Sequence, residues 1–558
     1  MTVTTRPASD ADASSPVPTP AGPRPDAAGV SKPRAALAGA AAAGAALAAG
    51  ELTTSIEGPG PTLVTAVGSE FIDRYAASLK DLAVQIFGTN DKPALVVGIV
   101  VTSIVLGALI GLAARRRWFV APVGFGVFGL VGALALSGDP QGSTSTAVVG
   151  AIVSVIAGIA SFACLWILAR RPAAGPARAV PPAADGVGGP PADGPSADGR
   201  TRRTLLDRRG FVLGAGAIVL ASGGATVIGR RLRNAEAVDA ARRTTVLPRA
   251  GSSTLPPAAQ PFEVPGLTPY IVPNADFYRI DTALSTPQVG LDGWRLSVTG
   301  LVDEPFELTF DQLLEFDSVE ETVTIQCVSN EVGGGLIGNA VWQGVPLATV
   351  LERAGVQSEA TQIVGRSVDG FTAGFPTEAA FDGRTALVAY GMNGEPLPAD
   401  HGFPARLIVA GLYGYVSATK WLEEIELTTW EDFDGYWVPR GWSKEGPVKT
   451  ASRIDVPRSG ATLTAGPQPI AGVAWAPHRG IERVAVQIDA GPWQECELGA
   501  VASDDTWVQW RLAWEATPGE HDVRVRATDG TGETQTEERA RPAPNGSTGW
   551  HRRSFRVT

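Results

Sequence analysis

Cys327 is the most reactive side chain in this sequence that also occupies a suggestive position. It follows a run, ETVTIQCV (321–328), whose β-branched residues alternate with strand period. It opens a segment, SNEVGGGLIGNAVW, in which Gly333, Gly334 and Gly335 let backbone approach a ligand closely. Downstream, DHGFPARLIVAG (400–411) carries His401 and Arg406, and Lys420 follows. Cationic and hydrogen-bonding groups gathered around one turn and strand suit an anion such as a phosphate. Each residue also has an ordinary reading. A lone Cys at a strand end is a small buried apolar residue, and three cations are often solvated surface. Cys496, within ECEL, fits the packing role, and Cys164 sits among apolar neighbours. Three Cys in 558 residues exclude a disulfide-rich scaffold.

The elements that would position these residues belong to the second half of the chain. Strands are expected at 294–300, 306–310, 321–328, 405–411 and 421–428, with helices at 310–316 and 346–354, an α+β domain over 250–445. From 451 to 558 the pattern is strand and turn throughout. VAVQIDAG, WVQWRLAW and HDVRVRATD alternate as the strands of an immunoglobulin-like sandwich do.

The first half is different. Charged residues are only 18% of the whole, and long stretches carry none. Residues 1–33 are rich in Pro, Ala, Ser and Asp and read as disordered. Five apolar segments follow, near 35–50, 94–113, 119–137, 147–168 and 211–228, which read as membrane spans, the first of them short and Ala-rich. Four of them make a transmembrane region over 34–171. The spacing within 70–87 predicts a helix lying along the interface. Basic residues at Arg115–Arg117, Arg170–Arg171 and Arg200–Arg209 place the intervening loops inside and everything after the fifth span outside. Arg230, Arg231 and Arg233 run against that rule. Residues 206–229 contain DRRGFVL, which resembles a twin-arginine export signal, and ordinary basic flanking is the alternative. A Pro/Gly/Ala-rich linker, 172–205, precedes it. The expected location is a bacterial cell membrane, multi-pass, with the soluble half extracytoplasmic. The net charge of -11 argues against nucleic acid as a partner.

IVPNADFYRIDT (271–282), IQCVSN (325–330), VWQGVPLATVLERAGV (341–356) and AYGMNGEPLPADHGFPARLIVAGLYGYVSATKWLEEIELT (389–428) together resemble the sulfite oxidase family of molybdopterin-dependent oxidoreductases. GVAWAPHRGIERVAVQIDAGPW (472–493) is similar to that family's immunoglobulin-like dimerisation domain, which implies a homodimer. The resemblance implies a molybdenum–molybdopterin cofactor with Cys327 as the metal's thiolate ligand. It implies that Asn274, Phe277, Tyr278, Arg279, Ser367, His401, Arg406 and Lys420 bind the pterin and its phosphate. The reaction implied is a two-electron oxygen-atom transfer on a small molecule or a sulfoxide-type substrate. A sulfoxide reductase of the same family and a non-catalytic module that kept the fold are the alternatives.

The departures bear on the substrate. Relatives carry Arg-Arg where this chain has Glu331 and Val332, and Trp442 stands where they have a Tyr. A pocket for the sulfite dianion needs converging guanidinium groups, so sulfite is not the expected substrate. No His precedes His401, and the only Met before it apart from Met1 is Met392. The spans therefore lack axial ligands for a bis-His haem, and a separate electron partner is expected.

Overall fold

A computed structural model of the chain describes residues 30–57, 60–72, 74, 91–170, 211–224, 236–254 and 262–558. The linker 172–205, the DRRG motif at 207–210, the end of the fifth apolar segment and most of 70–87 lie outside the described residues.

Among the described residues, six helices make up the N-terminal half: α1 (Lys32–Glu57), α2 (Leu63–Ile72), α3 (Asp91–Ala114), α4 (Val120–Gly138), α5 (Thr144–Ala169) and α6 (Phe211–Gly224). Among the described residues, α1, α3, α4 and α5 are long and apolar enough to cross a membrane. The Ala-rich α1 is thus longer than its most apolar stretch suggested. The fifth segment is described only as the 14-residue α6. Buried small residues line the packed faces, including Ala121, Gly129 and Gly132 on α4 and Gly150, Ala151, Ser154 and Gly158 on α5. The outward faces carry Val97, Val101 and Val105 on α3, Val123, Val127 and Leu134 on α4, and Ile152 and Ile156 on α5. Apolar residues four apart pointing outward make a surface matched to hydrocarbon rather than to water.

The bundle has two distinct ends. At one, Arg115 Nε donates to Val30 O at 2.8 Å, and Arg34 donates to Ala169 O and lies over the Phe211 ring. At the other, Lys92 reaches the 281–283 segment, and Gly68 and Pro140 approach Leu284 and Gly370 of the soluble half. Helix α2 is wedged into this second end, with Leu63 packing against Gly132 and Gly150.

The soluble half follows α7 (Glu236–Thr244). Its first part contains β1 (Ser252–Thr254), β2 (Leu296–Gly300), β3 (Phe306–Leu308), α8 (Phe310–Leu314), β4 (Val319–Gln326), β5 (Ile337–Pro346), α9 (Leu347–Ala354), β6 (Gln362–Ser367), β7 (Thr372–Pro376), β8 (Ala386–Met392), β9 (Glu395–Pro396), β10 (Arg406–Val409), α10 (Gly414–Ser417) and β11 (Leu422–Thr428). One sheet runs β1-β4-β5-β8-β10, with β9 on β8. A second runs β3-β2-β11-β6-β7. The expected elements are present within a few residues of their predicted bounds. Helix α8 starts at a capping box in which Thr309 and Gln312 bond each other's backbone. Helix α9 stops at Gly355, whose φ of +69° ends the helix in the left-handed region. Strand β5 lies between β4 and β8 and is buried on both faces for nearly its whole length, which is why it reads as a continuous apolar and small-residue run rather than an alternating one.

The last part forms two further sheets. β12 (Ala451–Val456), β14 (Gly466–Trp475), β18 (Val508–Ala516) and β17 (Glu497–Leu498) make one. β13 (Thr462–Leu463), β20 (His551–Val557), β19 (Gly519–Asp529), β15 (Ile481–Ile488) and β16 (Trp493–Glu495) make the other. Ile470, Val486, Trp510, Val525 and Phe555 fill the core between them. The boundary near 450 is crossed by packing. Trp475 and Trp507 belong to the core of the first two sheets, Trp475 Nε1 donates to Gln326 Oε1 at 2.9 Å, and Trp507 N donates to Thr324 Oγ1 at 2.8 Å.

Candidate active site

Cys327 is the first residue after β4, and its backbone N–H closes the Gly-rich loop onto Leu336 O at 3.0 Å. Asn330 Oδ1 clasps the same loop by accepting from Leu336 N at 2.8 Å. Gly333 has a φ of +80°, and a Cβ there would run into the His551 ring, so only glycine fits. The thiol is buried and takes a weak contact from Ser329 N.

The cationic side comes from a tight turn. Ala399–His401 is a single 3-10 turn ended by Gly402 at φ +108°. A Cβ on Gly402 would sit 3.0 Å from Lys420 Cβ and 3.2 Å from Arg406 Cβ, so the bare glycine lets three basic residues converge. Trp421, at φ +49°, holds a left-handed conformation that a bulky residue rarely adopts, and its indole donates to Ala399 O at 2.8 Å.

Arg406 is buried over the face of Trp342, and its guanidinium donates to His401 O at 3.0 Å and to Ala418 O. Among the described residues no carboxylate pairs with it. Burial pulls it down to about 10, against an upward push from Tyr278. His401 is held down at about 4, chiefly by burial and then by Arg406, and is neutral at pH 7. Lys420 is drawn down to about 8 by burial, with Asp281 acting the other way. Burial alone would raise the Asp281 carboxyl, but Lys420, Lys92 and Arg279 together hold it well below the usual carboxylate range. Lys420 Nζ lies 2.7 Å from Asp281 and 3.1 Å from Asp400 O. Lys92, at the start of α3, donates to Asp281 Oδ1 at 2.6 Å, Asp281 O at 2.8 Å and Ala283 O at 2.7 Å.

Tyr278 joins the two halves. Burial raises its hydroxyl, the neighbouring Cys327 adds to that rise, and Arg406 opposes it. The phenol is therefore near enough to both the thiol and the guanidinium to feel each of them. Phe277 stacks on Tyr278 and meets Trp342 and His401 edge-on. Of the remaining residues expected from sequence, Asn274 presents its backbone oxygen to His401 Nε2 at 3.2 Å and spends its amide on Met392 O and Glu395. Arg279 pairs with Asp281 and Asp400 and is partly exposed. Ser367 is buried, and its hydroxyl accepts from Asp369 N. Glu331 points to solvent, and Trp442 packs against Tyr415 and Trp437.

The expected residues thus gather at one place. Sequence reasoning passed over Asp281, Trp342, Tyr413 and His551. Tyr413 is pushed up to about 12 by burial, with Cys327 adding to the shift. His551 accepts from Ile454 N at 2.9 Å while packing on Gly333. A buried cation whose hydrogen bonds go only to carbonyls calls for an anion. A buried thiol beside it offers one soft donor. Both fit a phosphate-bearing cofactor whose metal takes sulfur.

Residues 283–437 match the family model described as the oxidoreductase molybdopterin binding domain. The chain is 39% identical over 153 residues to the uncharacterized oxidoreductase YuiH of Bacillus subtilis, covering 27% of this chain and 74% of that protein. It is 31% identical over 304 residues to human mitochondrial sulfite oxidase, covering 46% of this chain and 55% of that one. Against an NADH nitrate reductase of Solanum lycopersicum the figures are 29% over 315 residues, 45% and 34%. The chain spans about half the length of the sulfite oxidases it matches. With the matched segment enclosing the thiol and the three buried basic residues, the chain belongs to the sulfite oxidase family of molybdopterin-dependent oxidoreductases.

Proposed function

We propose that this protein is a membrane-anchored oxidoreductase that carries out two-electron oxygen-atom transfer on the outer face of a bacterial membrane. The observation that carries the reading is a buried Arg406 that no described carboxylate neutralises, beside a Tyr278 whose hydroxyl also feels the buried Cys327. Cys327 would be the protein's ligand to molybdenum, and the cofactor, when bound, supplies the oxygen-atom and electron chemistry. Arg406 and Lys420 would hold the anionic part, Lys420 turning from Asp281 toward the phosphate. Neutral His401 and the Asn274 carbonyl would orient the pterin, with Phe277 and Tyr278 excluding water from one side and Ser367 lining another. Arg279, tied to Asp281 and Asp400, would keep the mouth of the cradle in place.

The substrate we propose is small and uncharged, of the sulfoxide class. Glu331 stands where a dianion site needs a cation, and nearby Arg453 is committed to Asp455 and Gly334 O. The apolar outer stripes of α3, α4 and α5 support insertion in a bilayer. The basic end of the bundle, remote from the catalytic layer, supports an outward-facing site. The two C-terminal sheets support an immunoglobulin-like sandwich able to pair two copies.

Metal and pterin analysis of the purified full chain tests the proposal. About one molybdenum per chain in wild type, with activity abolished in Cys327→Ser at unchanged fold, is the expected result. A chain that takes up neither metal nor pterin when expressed with the cofactor pathway is a non-catalytic module, and the proposal fails.

A further inference from the structure

A cleft of about 110 Å³, open to solvent at its mouth, separates the outer end of the bundle from the catalytic layer. Its floor belongs to the membrane half and is mixed, with Thr65, Ser69, Glu70, Asp139 and Gln141 among its apolar residues. Ala66 of α2 and Ala135 of α4 lie there, and Ala66 sits in the same buried cluster as Leu136 and Ala147, with Ala135 packed against it. Its roof is formed by two segments, Thr282–Ser285 and Asp369–Phe371, with Tyr436 beside them.

Both roof segments have a second side. Asp281, one residue before the first, holds Lys420, and Ser367, two residues before the second, lines the candidate cofactor cradle. The cleft and the cradle are therefore back to back across two short pieces of chain. Lys92 fixes one of those pieces by gripping Asp281 and the Ala283 carbonyl from α3. Thr65, Ser69, Gln141 and Asp369 line the cleft and offer hydrogen-bonding groups for a carbonyl-bearing ring. No His lies before His401, so the helices offer no bis-His haem to take electrons away.

We propose that this cleft binds the headgroup of a membrane quinone, which exchanges electrons with the active site directly. The inference rests on the oxidoreductase reading above and names its electron partner by class. The balance is complete. Oxidation of a substrate, X + H2O → XO + 2e− + 2H+, matches quinone reduction, Q + 2e− + 2H+ → QH2, and the sum is X + H2O + Q → XO + QH2. When XO is the substrate, quinol supplies the two electrons and two protons in the reverse sense. Asp369 is placed to relay a proton, since burial raises its carboxyl and it faces both Lys420 and Asp281 on the cradle side. Ala66 and Ala135 join the cleft to the bundle's apolar cluster, on the side where a prenyl tail would stay in the hydrocarbon.

The test uses the full chain in lipid nanodiscs and oxidised decylubiquinone as the probe, with binding measured by titration calorimetry on cofactor-free and cofactor-loaded protein. Gly138 lines the cleft with nothing within 4 Å of a Cβ built on it, so Gly138→Phe adds bulk to the cleft. Ser69→Phe adds bulk to the same cleft from α2. Saturable binding to wild type, weakened at least about tenfold in both variants with molybdenum content unchanged, is the expected result. Absence of saturable binding in a molybdenum-loaded wild type, or equal binding in both variants, overturns the quinone site while leaving the oxidoreductase reading intact. Absence of molybdenum with quinone binding preserved overturns the oxidoreductase reading alone.

Discussion

The helical bundle and the catalytic layer hold themselves together by opposite means. In the bundle, α1 meets α3 through glycine. A Cβ on Gly107 would come within 2.5 Å of Ala43 Cβ and 2.6 Å of Gly39 O. In the catalytic layer the contacts are large. Trp342, Trp421 and Trp475 are almost wholly buried, and Phe277, Trp342, Arg406 and His401 form one packed group. Water rewards area removed from it, so a water-facing domain gains from bulky side chains. Hydrocarbon gives no such reward, and helices there gain from close backbone approach. The two halves differ as a membrane-anchored half and a water-facing half would.

That contrast can be broken by deleting bulk in one half and adding it in the other. Trp342→Ala should cost about 4 kcal/mol, because it opens a cavity and removes the surface on which Arg406 rests. Denaturant unfolding of the catalytic layer measures it, and a loss below about 1 kcal/mol would contradict the packing described.

Lowering the pH should separate the halves. His551 is pulled from 6.5 to about 4 by burial, with Arg553 and Arg453 adding to the effect. Its folded value lies below its unfolded value, so its contribution is fully present above about pH 6.5 and is lost as pH falls toward 4. The loss approaches roughly 3 kcal/mol. His401 acts in the same direction. Thermal melts between pH 7 and 4 should show the catalytic layer weakening, and His551→Gln should flatten that slope. An unchanged slope in the variant would show that His551 is not the group responsible.

Gly107→Leu should cost about 2 kcal/mol by overpacking α1 against α3, read by unfolding in mixed detergent. Cofactor content should not change. Lys92→Met should have the smallest effect, about 1 kcal/mol, since Asp281 keeps Lys420 and Arg279. Its signature is looser coupling between the halves, seen as faster proteolysis near 281–285 in the full chain. Equal cleavage would mean the two halves are held by other contacts.

Local order was legible from sequence where a short pattern settles the matter. The alternation in 321–328 marked β4, and the capping residues at 309–312 sit where a helix was expected. The gathering of Cys327, His401, Arg406 and Lys420 could be read only through the family resemblance, because nothing in the spacing brings residue 327 to residue 406. Contacts between distant segments had no signal of their own. Lys92 and Asp281 are 189 positions apart, and His551 reaches Gly333 across more than two hundred. A boundary at 450 was readable from the change to pure strand periodicity, yet Trp475 and Trp507 belong to the core on the other side of it. Strand period tells which face of a strand is buried, and says nothing about what buries it.

The dependence of β4 on Trp507 sets a clock. Thr324 waits 183 residues for the backbone N–H that it accepts. At ~5–20 residues per second of synthesis, that is on the order of ten seconds or more. Until then the Thr324 hydroxyl and the Gln326 amide have no tryptophan to bond, and one flank of the sheet beside Cys327 stands open. The catalytic layer therefore cannot close while its own C-terminal part is still inside the ribosome. A bulky cofactor loaded in that interval meets an unfinished cradle, and one loaded afterwards has to enter a finished one.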